Sequence, residues 1–338
     1  QANTPIQPET IVMYGTSQFD GFVMDKCCSV KVSELFRTDP TTQTIHFKVV
    51  DDVLDLKCLE KVRRETDLEE FLPSAIFVRK SMDDALERRL HKRRDQTPTV
   101  LLGSSGNGKS VFAFLAAFAS ASTGRHEAVL YARKVGDEKE RGTSIFWMTR
   151  STTQQETVDI VAARDINRQS SINTLCMAIA YVFFSRDLRK TQNPTAYGVK
   201  IIVDGQRYEE KTERVGGSDL VTSGGCPPQS QQNVDEWHFP IAVWTLEELF
   251  LALKSLKRCN RCTVEEIFDT TGGSVRLALR CCSDDGKVDK GKLERYQLWM
   301  KRVAEAQGND FVVKMAYLQI QLSAGSNSLD RVRSMIVK

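Results

Sequence analysis

Eight consecutive residues carry the clearest chemistry in this chain: Gly103, Ser104, Ser105, Gly106, Asn107, Gly108, Lys109 and Ser110. The spacing fits G-x-x-x-x-G-K-[ST], a loop that holds phosphate. Its glycines let the backbone turn tightly with N–H groups facing inward, a nest for anionic oxygens. A helix starting at the end of the loop adds about half a positive charge there. Lys109 then meets the β- and γ-phosphates as a point charge. The Ser110 hydroxyl ligates the Mg²⁺ that bridges the same oxygens. The bland alternative is a Gly/Ser-rich turn that meets the pattern by chance.

The flanks favour the phosphate reading. Val100-Leu101-Leu102 reads as a short buried strand, and Val111 to Leu115 as the start of a helix. The motif needs strand, loop and helix in that order. A second signal follows in Lys200-Ile201-Ile202-Val203-Asp204, an apolar run ending in an acid, the Walker B pattern. Buried parallel strands read as continuous apolar runs, and ligands sit at their C-terminal ends. Asp204 is expected to hold Mg²⁺ through water, opposite Ser110. No N-K-x-D guanine-reading motif appears, which tilts the expected ligand toward ATP.

The elements that must position these residues alternate in type. Thr44 to Val50 alternates like a strand, Asp67 to Phe71 reads as a short helix, Ile76 to Lys80 as a compact apolar-then-basic element, and Met82 to Arg94 as a helix capped by Ser81. Strands are expected at Ala128 to Ala132, Ser144 to Met148, Asp219 to Ser223 and Phe239 to Trp244, with an apolar helix over Ile172 to Ser185. Lys134 to Gly142 reads as a charged turn and Gly225 to Asn233 as a Pro/Gln/Ser-rich loop. Thr245-Leu246-Glu247-Glu248 is a capping box opening a helix to Leu256. From there the pattern is helical: Val264 to Phe268, Ser274 to Arg280, Leu293 to Ala306 and Phe311 to Leu322. Strands alternating with helices, then helices alone, predict an α/β fold. Its parts are a parallel sheet flanked by helices, a C-terminal helical lid and a small mixed N-terminal region. The expected divisions are 1–75, 76–244 and 245–338.

Composition excludes several classes. The 338 residues carry a net charge of +3, which by itself points to neither nucleic acid nor membrane. The longest apolar run, Val111 to Ala119, is far too short to span a bilayer. A chain of this size buries roughly three quarters of its extended surface without disulfides or metals. Nine cysteines, an odd count without framework spacing, favour reduced thiols.

Three stretches, in order, carry a family resemblance: Ile76-Phe77-Val78-Arg79-Lys80, Trp244-Thr245-Leu246-Glu247-Glu248-Leu249, and Phe268 to Arg276 with Gly272-Gly273. Together with the octapeptide they resemble the P-loop NTPase domain shared by Crinkler effectors of oomycetes and chytrids and retrotransposon hot spot proteins of trypanosomes. The resemblance covers about residues 76 to 285. It implies an AAA+/STAND-like ATPase fold. For Thr222 and Ser223 it implies a polar sensor after the Walker B strand. For Arg276 it implies a second sensor reaching the γ-phosphate. It further implies secreted effector biology ending in the host nucleus, with a host protein as target. The family's N-terminal translocation segment is not recognisable, and the stretch after the module is too short for the family's toxin domain.

One departure bears on catalysis. Relatives place a glutamate directly after the Walker B aspartate to polarise water, whereas Gly205 and Gln206 follow Asp204. Glu209 is the next candidate for that role, with Glu210 second. Slow hydrolysis and a switch-like use of ATP are therefore expected. The rival is a non-enzymatic module that uses the domain as a scaffold to bind a host protein.

Other residues carry weaker alternatives. Thr222 and Ser223 are either a sensor or strand hydroxyls meeting a turn. Cys259, Cys262, Cys281 and Cys282 could bind Zn²⁺ as four thiolates, but adjacent cysteines make awkward ligands. The run Arg88, Arg89, Lys92, Arg93 and Arg94 is a nuclear-localisation or nucleic-acid patch, or a solvated helix face. Asp51, Asp52, Asp55 and Lys57 have the wrong spacing for a nuclease core.

Overall fold

The computed structural model describes residues 22–42, 44–65, 72–90, 98–103, 106–134, 143–152, 156–165, 176, 179–180, 184, 194–205, 218–222, 237–241, 244–271 and 273–306. Its first part holds β1 (Phe22–Lys31), α1 (Val32–Leu35), β2 (Phe36–Thr38), β3 (Ile45–Phe47), β4 (Val53–Asp55), α2 (Glu60–Glu65), β5 (Ala75–Phe77) and α3 (Lys80–Leu90). The central part runs β6 (Thr99–Leu102), α4 (Lys109–Ser122), β7 (Ala128–Lys134), β8 (Thr143–Arg150), β9 (Thr157–Asp165), β10 (Val199–Asp204), β11 (Asp219–Thr222) and β12 (Trp237–Pro240). Helices α5 (Leu246–Lys257), α6 (Arg261–Thr271), α7 (Val275–Cys281) and α8 (Lys290–Ala306) follow.

The fold is α/β, built on an eight-stranded sheet in the order β1-β9-β8-β7-β10-β11-β6-β12. The five strands from β7 to β12 are mutually parallel. The expected parallel sheet is found in these five strands, and β8, β9 and β1 extend it antiparallel beyond β7, so the whole sheet is mixed. Residues 157–165, unassigned from the pattern, form β9 between β8 and β1.

Period-2 alternation sends the two sides of each central strand into different cores. Val129, Tyr131, Phe146 and Ile202 face α4. Ala128, Leu130, Ala132, Ile145, Trp147, Ile201 and Val203 face the other way, onto Cys176, Ile179 and Phe184. Those last three lie in the expected apolar helix, most of which falls outside the described residues.

Helix α4 is apolar on every side, with Phe112 to Ala121 buried. Such a helix needs cover all round. The sheet covers one side, through edge-on contacts of Phe114 with Tyr131 and Phe146. The N-terminal segment covers the other: Phe36 stacks on Phe118 at 6.0 Å and packs tilted against Phe47 at 5.4 Å. The expected boundary at residue 75 therefore does not separate two cores. Strand β1 joins the main sheet, and Leu35, Leu54, Leu56 and Leu59 share one cluster with α4.

The last four helices have a core of their own around Leu249, Leu253, Val264, Ile267 and Leu293. Thr245 caps α5 as expected: the Glu248 N–H donates to the Thr245 hydroxyl, and the Thr245 N–H donates to the Glu248 carboxylate. A small joint of Phe77, Trp244 and Ala252 links these helices to β5. The expected helices at 67–71 and 311–322 lie outside the described residues, as does the loop at 225–233.

Candidate functional site

Strand β6 ends at Leu102, and the chain turns through Gly103, Gly106 and Gly108 into α4. All three glycines have positive φ, at 152°, 86° and 88°, which L side chains rarely adopt. Two also lack room. A Cβ on Gly103 would meet the Ile241 carbonyl at 2.7 Å, and one on Gly106 would meet the Ser274 hydroxyl at 2.5 Å. No side chain caps α4, and the first-turn N–H groups of a helix are the donors an anion would use. Lys109 is only 6% exposed and curls over the loop, its Cδ 3.4 Å from where a Gly103 Cβ would be. Asn107 is 1% exposed, and its Nδ2 finds no hydrogen-bond partner among the described residues. Ser104 and Ser105 lie outside the described residues.

Asp204 closes β10, 4% exposed. The Tyr131 hydroxyl donates to its Oδ2 at 2.7 Å, and Arg133 Nε lies 3.3 Å from the same oxygen. The Tyr131 oxygen is also 3.3 Å from the Ser110 carbonyl. One phenol thus ties the end of β10 to the first turn of α4. Burial, then the Asp204 charge, holds the Tyr131 phenol well above its ordinary range. The Asp204 carboxylate is thus linked through that phenol to the turn that carries Ser110. With the Ser110 hydroxyl it forms a pair of hard oxygen donors, the chemistry Mg²⁺ takes. The residues therefore fit a metal–phosphate complex, with Arg133 as a neighbour not foreseen from the pattern. Only the register of Arg133 against Asp204 across β7 and β10 reveals it.

The three stretches that carried the family resemblance meet at this loop. The Trp244 indole N–H donates to the Asn107 carbonyl at 3.4 Å. The guanidinium of Arg79 lies over the Trp244 ring at 4.7 Å, and the Phe77 ring is 6.0 Å away. Arg79, 2% exposed, pairs with Glu248 at 3.5 Å. Burial lowers the Arg79 pKa, and Glu248 opposes that shift. Gly273, with φ 80°, leaves no space for a Cβ, which would lie 2.4 Å from the Trp244 carbonyl. The Arg276 N–H reaches the Gly106 carbonyl at 3.4 Å, and its Cβ would lie 3.3 Å from one on Gly106. Arg276 is exposed at the start of α7, beside the loop.

Thr222 ends β11, the strand lying between β6 and β10. Ser223, Glu209, Glu210 and Gln206 lie outside the described residues. Arg89 in the basic run is buried and pairs with Asp219, so it belongs to neither a solvated face nor a free basic patch. Arg88 is exposed; Lys92, Arg93 and Arg94 lie outside the described residues. Asp55 accepts from the Lys57 N–H at 2.9 Å in a local turn. Asp51 and Asp52 sit in a turn with positive φ. Among the described residues no group of three or more His, Cys, Asp or Glu could hold a metal ion. Of the four candidate zinc thiols, Cys262 is exposed and the other three are buried. No protein-family model matches the chain, and no curated protein matches it either.

Proposed function

We propose that this chain is a P-loop NTPase module that binds ATP·Mg²⁺ and hydrolyses it slowly, using nucleotide state to set the lid. The observation that carries the reading is one juxtaposition. Three positive-φ glycines open an uncapped helix beside a buried, strand-ending aspartate. When bound, the metal would neutralise charge on the β- and γ-phosphates. Lys109 would hold the same phosphates, Ser110 and Asp204 would serve as oxygen donors, and Arg276 would sense the γ-phosphate from the lid side. Thr222 and Ser223 are proposed as the polar sensor and Glu209 as the residue that orients water.

The AAA+/STAND-like assignment and the kinship with Crinkler and retrotransposon hot spot domains belong to the same proposal. They are supported by the meeting of Arg79, Trp244 and Ser274 at the loop, since these residues come from the three stretches that carry the resemblance. From that kinship follows a secreted effector that acts in the host nucleus on a host protein. Calorimetric titration with a non-hydrolysable ATP analogue, with and without Mg²⁺, tests the site. Absence of binding in both conditions would overturn it.

A second reading is favoured by one observation. Arg133 already pairs with Asp204, and Gly205 stands where a water-polarising glutamate would be. In that reading the domain is a scaffold that binds a host protein without turnover. ATP hydrolysis no faster than that of a Lys109→Ala control would support it over the enzyme.

A further inference from the structure

Cys259 follows Arg258, which ends α5 in the left-handed conformation at φ 59°. Cys282 follows α7 and bridges to Val288. Their Sγ atoms lie 2.6 Å apart, nearer the ~2.05 Å of a disulfide than a loose contact. Both thiols are buried in the lid core with Val264, Ile267 and Leu293.

The two segments are held together without the sulfurs. A Cβ on Gly286, with φ 79°, would lie 2.8 Å from the carbonyl oxygens of both Lys257 and Arg258. Lys257 also pairs with Asp284. The Cys259 N–H is fixed on the Leu253 carbonyl at 3.3 Å. Backbone packing therefore brings these two cysteines into bonding range, and Cys262, exposed on α6, is left out.

We propose that Cys259 and Cys282 are a disulfide-forming pair that cross-links the lid. The reaction is thiol–disulfide exchange with a low-molecular-weight disulfide. One protein thiolate attacks it and releases one small thiol, leaving a mixed disulfide. The second protein thiolate then displaces the other small thiol. Two protein S–H bonds and one oxidant S–S bond are exchanged for one protein S–S bond and two small-thiol S–H bonds. Two electrons pass from the protein to the oxidant.

Burial, then the hydrogen bond to Cys282, pushes the Cys259 thiol up to about 12. Because the thiolate is the nucleophile, exchange inside a closed lid is slow. The bond forms while the lid folds and then resists reductant. It encloses α6 and α7, and so braces the helix that presents Ser274 and Arg276 to the phosphate loop.

The test is refolding of the full chain in a mixture of oxidised and reduced glutathione, followed by alkylation of free thiols, non-reducing digestion and peptide mass mapping. The expected result is one linked pair of peptides carrying Cys259 and Cys282. The thermal midpoint should fall by several degrees when the chain is refolded with reductant instead. In a double variant, Cys259→Ser with Cys282→Ser, reductant should no longer move the midpoint. Recovery of both cysteines as alkylated thiols, or linkage of Cys259 to Cys262 or Cys281, would overturn the proposal. The peptide map of the wild-type chain decides the matter if the double variant does not fold.

Discussion

The guanidinium of Arg79 lies 4.7 Å from the centroid of the Trp244 ring, whose indole N–H donates to the Asn107 carbonyl in the loop before α4. Arg79 also pairs with Glu248, the carboxylate that caps α5. Arg79→Ala removes a cation–π contact, buried stem packing and that ion pair. A loss of about 1–3 kcal/mol in unfolding free energy is expected. Arg79→Lys should recover only part of it, because ammonium lacks the planar face. Urea denaturation of the three proteins measures this, and equal midpoints would show the stack to be incidental.

Lys109→Ala should cost the nucleotide its principal point charge. Removing a buried charge-assisted contact costs on the order of 2–5 kcal/mol, so affinity should fall about 30-fold or more. Calorimetry reads this directly. Unchanged affinity would place the phosphate elsewhere.

Arg133 and a metal shell compete for the same carboxylate. Arg133→Gln removes the cation beside Oδ2 of Asp204 and leaves the Tyr131 hydroxyl on it, so the Mg²⁺ concentration needed for half-maximal nucleotide binding should drop about tenfold, equivalent to ~1.4 kcal/mol. Asp204→Asn should instead weaken the Mg²⁺ dependence of binding while sparing metal-free binding. Identical Mg²⁺ titrations for Arg133→Gln and wild type would reduce the arginine to a structural ion pair.

Tyr131 yields a prediction about alkali. Its phenol is held well above the ordinary value, so the folded state keeps a proton that the unfolded chain releases above about pH 10. The stability this contributes is complete below that pH. It is lost above it, at up to about 1.4 kcal/mol per pH unit, until the folded phenol itself titrates. Tyr131→Phe should be weaker by about 1 kcal/mol at neutral pH, yet should lose less stability than wild type between about pH 9 and about pH 11. Parallel alkaline losses in the two proteins would contradict the assignment.

Turnover separates the two functional readings. With Gly205 after Asp204, a rate well below the ~10 per second typical of enzymes is expected. Glu209→Gln should lower it further with ATP affinity nearly intact. A rate that ignores this substitution would mean another group orients the water.

What was legible in the sequence follows from how each element is buried. Strands β6 and β10 are covered on both faces, so Val100 to Leu102 and Ile201 to Val203 read as unbroken apolar runs. The cap of α5 is local chemistry, complete within Thr245 to Glu248. Strands β1 and β9 carry polar residues between apolar ones, and Ser29 pairs with Asp159 across them. Nothing local marks them as the antiparallel end of the main sheet. Arg133 gained its meaning only from which strand lies beside β7. Arg79 gained its meaning only from a tryptophan in a distant segment. Pairing of this kind is set by the whole chain, and no window along it contains both partners.

At the opposite end of β11 from Thr222, the buried Asp219 carboxylate accepts from the Thr99 N–H at 2.8 Å, pairs with Arg89 and lies 3.7 Å from Lys200 Nζ. Two cations and an amide from α3, β10 and β6 are thereby riveted to one strand. Losing any partner there would strand a charge in a water-poor interior, at several kcal/mol. The foot of the sheet is thus a fixed anvil. If nucleotide binds at the other end as proposed, any shift there would be taken up at Gly106 and Trp244, which touch the helices that follow.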